Sequence, residues 1–499
     1  KTNKTLKFNM ALTKKMEELS SYEDDTLDNR LRNESKINRK RHKINLYSGQ
    51  CGVGKSFASI RRSMPDYHTE EGVVVFNFSA PQNILFGVTV EPHIDDLKEQ
   101  FPNLIAMTNP TMGDYVSALS RRKEGQIIVV RMSTSRLNTN HKKIINELKR
   151  FGVILNSCFI CDEIQFSGTS SPELLQDNIG SEGPSDCVRF STLDAIRETG
   201  AWVEGLTGSL LKEQKDKDFG SEHYHIINEK PTKDELALRV SGNKEVHWFD
   251  KTEEDPRNTV IEFLCQVTAI ESELIDIYKT KGMFGILNSK RTSFIAIETC
   301  YKEKEKVDTK WVITSFDNKV VPAHLDFDIA FPTSDKKKDT DEGKITIIRF
   351  QGGKSILLTE DERDEAGYYD LDSIITFMNN EKSRLKHMIA INMGNMGMDI
   401  PNMIGALNLR VYGSKDSKGV PVVITGRQFI SRPRRLFEAM EKLRPYFTND
   451  DELRHAFVRI NSFILWLPES EYWREAVRMM YEDFYSADQV DAFIVENTK

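Results

Sequence analysis

Eight consecutive residues, Gly49-Gln50-Cys51-Gly52-Val53-Gly54-Lys55-Ser56, fit the phosphate-binding spacing G-x-x-x-x-G-K-[ST] at every fixed position. Gly49, Gly52 and Gly54 let backbone N–H groups turn inward around phosphate oxygens. Lys55 supplies a point charge for the β- and γ-phosphates, and Ser56 offers a hydroxyl to Mg²⁺. This is the chemistry of nucleoside-triphosphate binding. A second set, Asp162-Glu163-Ile164-Gln165, concerns the fate of the bound triphosphate. Asp162 closes the apolar run Val153 to Cys161, which puts a carboxylate at the carboxyl end of a predicted strand, where it holds Mg²⁺ through water. Glu163 beside it is placed to polarise an attacking water. Phosphoryl transfer to a small molecule does not generally need that second acid, so the pair favours hydrolysis.

These groups need elements to aim them. Ile44 to Tyr47 reads as a strand entering the loop, and Phe57 to Ser63 as a helix whose amino terminus faces the phosphates. From Ile44 to about Asn228, the apolar runs Gly72 to Phe78, Gln126 to Met132, Val153 to Cys161 and Trp202 to Thr207 alternate with helical stretches. Near-continuous apolar runs suit parallel strands covered by helices on both faces, so the expected class is α/β. Gly168 to Ser185, rich in Ser, Gly and Pro, reads as an exposed loop. Strand signals return at Met283 to Leu287, Ser293 to Ile297, Trp311 to Ser315, Ile345 to Phe350, His387 to Asn392 and Val420 to Thr425, and predict a second α/β domain. Lys336 to Asp341 reads as a solvated loop within it. The division expected is an N-terminal helical and basic extension over 1–43, a first domain over 44–228, a polar linker over 229–257, a second domain over 258–436 and a helical region over 437–499.

Composition removes several classes. At 499 residues the chain is too long for one hydrophobic core. Its net charge of −7 carries no global positive field, so any nucleic-acid surface must be a local stripe. No apolar stretch reaches the roughly 18 to 20 residues of a membrane helix, and the first thirty residues are not signal-like, so a soluble, intracellular protein with no membrane partner is expected. The six cysteines are scattered, unlike a disulfide framework, and Cys158 and Cys161 sit in an apolar run as buried thiols. The basic cluster Lys36, Arg39, Lys40, Arg41 and Lys43 is either a solvated extension or a nucleic-acid contact. His223 and His225 share one face of a predicted strand, but no further ligand completes a metal site.

Five segments in order resemble the motifs of superfamily 2 helicases. The octapeptide is motif I, and Asp162 to Gln165 resembles motif II in its D-E-x-H/Q form. Leu206-Thr207-Gly208-Ser209 resembles motif III. Asn392 to Pro401, with Gly397 two residues before Asp399, resembles motif V. Gln428-Phe429-Ile430-Ser431-Arg432-Pro433-Arg434-Arg435 resembles motif VI, with serine where glycine is usual. Ala80 to Leu85 and Ser133-Thr134-Ser135 are weaker echoes of motifs Ia and Ib. The resemblance covers about Ile44 to Arg435.

It implies two tandem RecA-like domains with parallel sheets flanked by helices, a helical C-terminal extension, and ATP with Mg²⁺ as cofactors. It implies that Arg432 and Arg435 reach the γ-phosphate from the second domain. Gln165 and Thr207 would couple phosphate state to closure, Gly397 would allow close backbone approach, Asp399 would orient the arginines or a ribose, and Gln428 would line the nucleotide. The function expected is ATP-driven helicase or translocase activity on nucleic acid, DNA ahead of RNA, in replication, repair or related transactions with protein partners. A packaging-type P-loop motor and a nucleotide-gated clamp that does not unwind remain alternatives.

Overall fold

The computed structural model describes residues 40–48, 59, 73–78, 98, 101–123, 126–162, 164, 188–207, 220–226, 244–250, 256–297, 300–302, 305–307, 316–332, 345–369, 371–391, 400, 402–409, 426, 429–430, 437–438 and 440–481. Outside them lie the loop 168–185, residues 311–315 and 420–425, the lysine run 336–341, the weak motif Ia, the first 39 residues and the last 18.

The architecture is mixed α/β, built on two large sheets in tandem. The first has seven parallel strands: β1 (Ile44–Ser48), β2 (Val73–Phe78), β3 (Ile105–Thr108), β4 (Ile128–Ser133), β5 (Cys158–Asp162), β6 (Trp202–Thr207) and β7 (Tyr224–Ile226). Their order across the sheet is β3-β4-β2-β5-β6-β1-β7. Helices α1 (Met112–Arg121), α2 (Thr134–Arg150) and α3 (Phe190–Arg197) bury Leu119, Leu137, Ile144, Leu148, Leu193 and Ile196 against Ile44, Val130, Phe159 and Val203. The all-parallel pairing follows from those apolar runs, since a strand buried on both faces has no solvent side to keep polar.

The second sheet has eight strands in the order β14-β13-β12-β15-β9-β16-β17-β8. They are β8 (Lys244–Phe249), β9 (Thr292–Ile297), β12 (Phe327–Pro332), β13 (Ile345–Gln351), β14 (Lys354–Leu357), β15 (Leu385–Ile391), β16 (Met403–Asn408) and β17 (Phe463–Pro468). Cys300–Lys302 and Glu305–Val307 form a separate hairpin, β10 and β11. Within the eight-stranded sheet, β12-β13 and β13-β14 pair antiparallel and the other neighbours pair parallel. Helix α4 (Pro256–Thr280) packs Phe263 and Val267 on one face of this sheet, close over Gly405, where an added Cβ would come within 2.9 Å of Val267 Cγ2. The other face is covered by Ile374 and Met378 of α6 (Leu371–Asn379) and by Trp473 and Val477 of α8 (Glu471–Tyr481), and α5 (Glu360–Glu365) precedes α6. Helix α7 (Asp450–Ile460) buries Leu453, Ala456 and Ile460 with Leu274 and Tyr278 of α4.

Several expectations change. Lys244–Phe249, read as linker, is an edge strand paired in register with β17, and its charged start hid the buried Val246 and Phe249. Phe463–Pro468, read as part of a helical extension, is a sheet strand whose six residues are almost wholly buried. Met283 to Leu287 is a turn rather than a strand, because Gly282 and Gly285 both take positive φ, 71° and 78°. The run 153–161 opens with a single 3-10 turn, Ile154–Asn156, before β5 begins. His223 ends a short helix, Gly220–His223, so it does not share a strand face with His225. Cys158 and Cys161 are buried thiols three residues apart on β5, which puts them on opposite faces. Among the described residues, no group of three His, Cys, Asp or Glu is placed to hold a metal, and no helix is long and apolar enough to cross a membrane.

Within the basic cluster ahead of β1, Arg41 has a clear structural role. Arg41 donates to the carbonyls of Leu155 at 2.6 Å and Gly200 at 2.8 Å, and its guanidinium lies 4.5 Å from the centre of the Trp202 ring. It straps the entry of β1 to the turns preceding β5 and β6. Arg41→Ala is expected to cost about 2 kcal/mol through the lost carbonyl bonds and ring contact. Urea denaturation measures that loss. The salt dependence of any nucleic-acid binding should keep its slope, because this arginine is committed to protein.

Candidate active site

Every strand of the first sheet points the same way, so its carboxyl ends form one edge, which is where ligands sit in open α/β sheets. Three of the residues implicated by the sequence, or their immediate neighbours, reach that edge on adjoining strands. Ser48, the last residue of β1 and the one before Gly49, pairs with Thr207, the last residue of β6. On the other side of β6, Cys161 pairs with Gly205, which leaves half-buried Asp162 one step further along β5. Neighbouring strands lie about 4.8 Å apart, so the phosphate-loop strand and the Asp162 strand stand about 10 Å apart with β6 between them. A hard carboxylate at the end of a strand suits Mg²⁺, which keeps several waters and takes few protein ligands. Gly49, Gly52, Gly54, Lys55, Ser56, Glu163 and Gln165 lie outside the described residues.

The residues around them show how the local chain is held. Ser59, helical and buried, donates its hydroxyl to the fully buried carboxylate of Glu204 on β6. Asn45 of β1, opposite Glu204 in the register, donates to Val203 O at 3.2 Å and exchanges bonds with the Lys40 backbone. On the opposite face, Ile164 packs into the space left by Gly205. A Cβ at 205 would overlap Ile164 Cδ1 and lie 3.2 Å from Ile164 Cγ2 and 3.3 Å from Ile44 Cγ2. Sequence reading missed Glu204 and Gly205. The available signal was a charged residue and a glycine inside an otherwise apolar strand.

Ser133, in the motif Ib echo, closes β4 and caps α2 by accepting from Arg136 N at 3.4 Å. Its own N–H donates to Asn109 Oδ1 at 2.8 Å, and Arg136 donates to the carbonyl of Asn109, so the ends of β3 and β4 are tied together. His223 meets the Phe190 ring edge-on at 5.6 Å and lies 3.7 Å from Asp194.

On the second sheet, β15 ends just before the motif V segment in sequence and β16 begins just after it, with β9 between the two strands. Gly397 and Asp399 fall outside the described residues, whereas Ile400 is buried in the core and Asn402 takes φ 57° as its carbonyl accepts from Thr292 N. Near the amino ends of β9 and β15, Ser293 Oγ lies 2.8 Å from His387 Nδ1, and full burial holds the imidazole well below its usual pKa, so it stays neutral.

Gln428, Ser431, Arg432 and Arg435 also fall outside the described residues, but the residues between and beside them are placed. Phe429 and Ile430 are helical and buried, with Phe429 against the rings of Trp473 at 5.9 Å and Phe294 at 6.2 Å. Gly426 N–H donates to Tyr472 Oη at 2.7 Å, so α8 holds the chain two residues ahead of motif VI in sequence. Past Arg435, Asn461 Oδ1 accepts from the N–H groups of Phe437 at 2.5 Å and Glu438 at 3.1 Å, and its amide donates to Glu438 O. Arg291, wholly buried, sets its guanidinium 3.2 Å from the centre of the Phe437 ring and donates to Tyr278 Oη at 3.1 Å.

No family model and no curated protein matches this chain. Solved structures do resemble it. The Mycobacterium smegmatis helicase Lhr bound to ssDNA and AMP-PNP is 10% identical at TM-score 0.42, covering 93% of this chain and 48% of its own. S. cerevisiae Dbp5 bound to RNA and ADP BeF3 is 11% identical at TM-score 0.44, covering 98% and 97%. The DUF1998 helicase MrfA bound to DNA is 10% identical at TM-score 0.46, covering 92% and 48%. The chain thus spans about half the length of the Lhr and MrfA chains.

Asn461→Ala removes the acceptor and donor that hold 437–438, and should cost about 2 to 3 kcal/mol because it strands buried backbone groups. Asn461→Asp keeps the acceptor and should lose less. Equilibrium urea unfolding, followed through tryptophan fluorescence, separates the two.

Proposed function

We propose that this chain is an ATP-hydrolysing motor of the superfamily 2 helicase kind that moves on nucleic acid. The supporting observation is the shared edge of β1, β6 and β5. The chain enters Gly49-to-Ser56 from Ser48, opposite Thr207, and Asp162 stands one strand beyond. A phosphate loop, a Mg²⁺ carboxylate and a motif III residue belong together in such a site, and the neighbouring Glu163 makes hydrolysis its chemistry.

In this reading Gly49, Gly52 and Gly54 cradle the phosphates, Lys55 neutralises charge at the β- and γ-phosphates, and Ser56 with Asp162 holds Mg²⁺. Bound Mg²⁺ supplies electrostatic stabilisation of the transferring phosphoryl group. Glu163 takes a proton from the attacking water. Arg432 and Arg435 reach the γ-phosphate when the second domain closes, and Gln428, Gly397 and Asp399 complete the nucleotide's surroundings. Gln165 and Thr207 relay phosphate state to closure. Nucleic acid, with DNA the preferred substrate, lies across both domains and is held mainly through its phosphates. Repeated closure and reopening advances the protein along one strand, in replication, repair or a related transaction.

The test is multiple-turnover ATP hydrolysis with Mg²⁺, measured with single-stranded DNA, duplex DNA and RNA in separate arms. Stimulation by at least one polymer is expected. Glu163→Gln should lower kcat by at least about 100-fold, and Arg435→Ala by about 1,000-fold. Hydrolysis untouched by Arg435→Ala would instead favour a packaging-type motor, and no stimulation by any polymer would sink the translocase reading.

A further inference from the structure

We propose that β6 is the positioning element of the triphosphate site, with Glu204 setting the phosphate-binding side and Gly205 setting the hydrolytic side. The proposal rests on the hydrolytic reading above and goes beyond it to two residues outside every motif. Adjacent residues in a strand face opposite sides of the sheet. Glu204 faces the side where Ser59 donates to its carboxylate. Ser59 stands three and four residues after Ser56 and Lys55, one helical turn along the helix expected over Phe57 to Ser63. The tether therefore fixes how far that helix rides along β6, and with it the height of Lys55 and Ser56 against the sheet edge.

Gly205 faces the other side, where Ile164 fills the room that a missing Cβ leaves. Ile164 is the residue between Glu163 and Gln165 in sequence, so its seat fixes the turn that carries the general base. Both contacts converge on one strand whose last residue, Thr207, belongs to the same edge. The strand sits in plane between β1 and β5, and backbone pairing on both sides keeps it from shifting.

The two faces predict different kinetic signatures. Lys55 and Ser56 bind ATP before and during reaction, so losing the tether acts on affinity. Glu163 acts in the chemical step, so displacing its turn acts on turnover. Ser59→Ala should raise KM for ATP about tenfold with kcat nearly unchanged, Glu204→Gln, whose amide oxygen still accepts from Ser59, should raise it less, and the double variant should be no worse than Ser59→Ala. Gly205→Ala should lower kcat about 100-fold with KM nearly unchanged, the scale expected of a misplaced catalytic group. Adding Ile164→Val removes the overlapping Cδ1 and should restore most of that kcat. Ile164→Ala, which introduces no clash, should also lower kcat by unseating the turn.

Thermal melts accompany each variant, and wild type with Glu163→Gln is run first to establish hydrolysis. If wild type binds ATP without hydrolysing it, the functional reading falls, and the tether is still tested as a tenfold loss of ATP affinity in Ser59→Ala. If wild type hydrolyses ATP but these variants move KM and kcat together, or only lower the melting temperature, β6 is a structural strand and the positioning proposal is overturned. Failure of Ile164→Val to rescue Gly205→Ala, with Ile164→Ala fully active, would overturn the hydrolytic side alone.

Discussion

Parallel pairing of β1, β6 and β5 sets the spacing on which the candidate site depends. Backbone hydrogen bonds hold the three strands at a nearly fixed separation, and their common direction brings three carboxyl ends to one edge. A loop that leaves β1 therefore begins at a defined distance from the carboxylate that ends β5. Side chains do not have to create that distance; they need only keep the strands in register. Arg41 strapping the entry of β1, and Asn45 bonding across to Val203 O, contribute to that register from the amino side of the strand.

A strand buried on both faces is built most simply from apolar residues, because each buried polar group needs a partner. Glu204 and Gly205 break that rule in the middle of β6. Burying a carboxylate costs several kcal/mol unless hydrogen bonds replace water, and a glycine in a strand gives up side-chain packing. Neither choice helps the sheet. Both make sense where Ser59 and Ile164 must sit at fixed positions on the strand, and departures from local rules concentrate at such places.

The parallel α/β class was legible because buried strands announce themselves as apolar runs, and Ile128–Ser133, Trp202–Thr207 and Leu385–Ile391 fall close to where those runs predict them. What the pattern hid has physical causes. β8 begins with Lys244 and Glu245 at a sheet edge, where charge is tolerated, so its strand character lies in Val246, Trp248 and Phe249. Phe463–Pro468 stands between helices, and a short apolar run in that setting reads equally as a buried helix turn. Met283 to Leu287 misled in the opposite direction, its apolar residues lying in a glycine turn. For the site, the motif spellings marked Asp162 and Thr207, whereas Ser59, Glu204 and Gly205 match no motif and become visible only through the register of β6.

The role proposed for Arg432 and Arg435 sets a different requirement on the second sheet, since side chains that reach a γ-phosphate need a restrained backbone behind them. Arg432 and Arg435 lie in sequence between two anchored stretches: Phe429 and Ile430, buried against Trp473 and Phe294, and Phe437 with Glu438, held by Asn461 and Arg291. Those anchors come from α8, from the end of α7, from β9 and from the chain just ahead of it, so part of the region expected to be a C-terminal appendage packs against residues on either side of Arg432 and Arg435 in sequence. Long side chains lose much of their rotamer freedom when they grip a phosphate, and a backbone held on both sides leaves less to be ordered at that moment. In the proposed motor, the Tyr472–Trp473 pair and Asn461 would act without touching nucleotide, by restraining the chain on either side of Arg432 and Arg435.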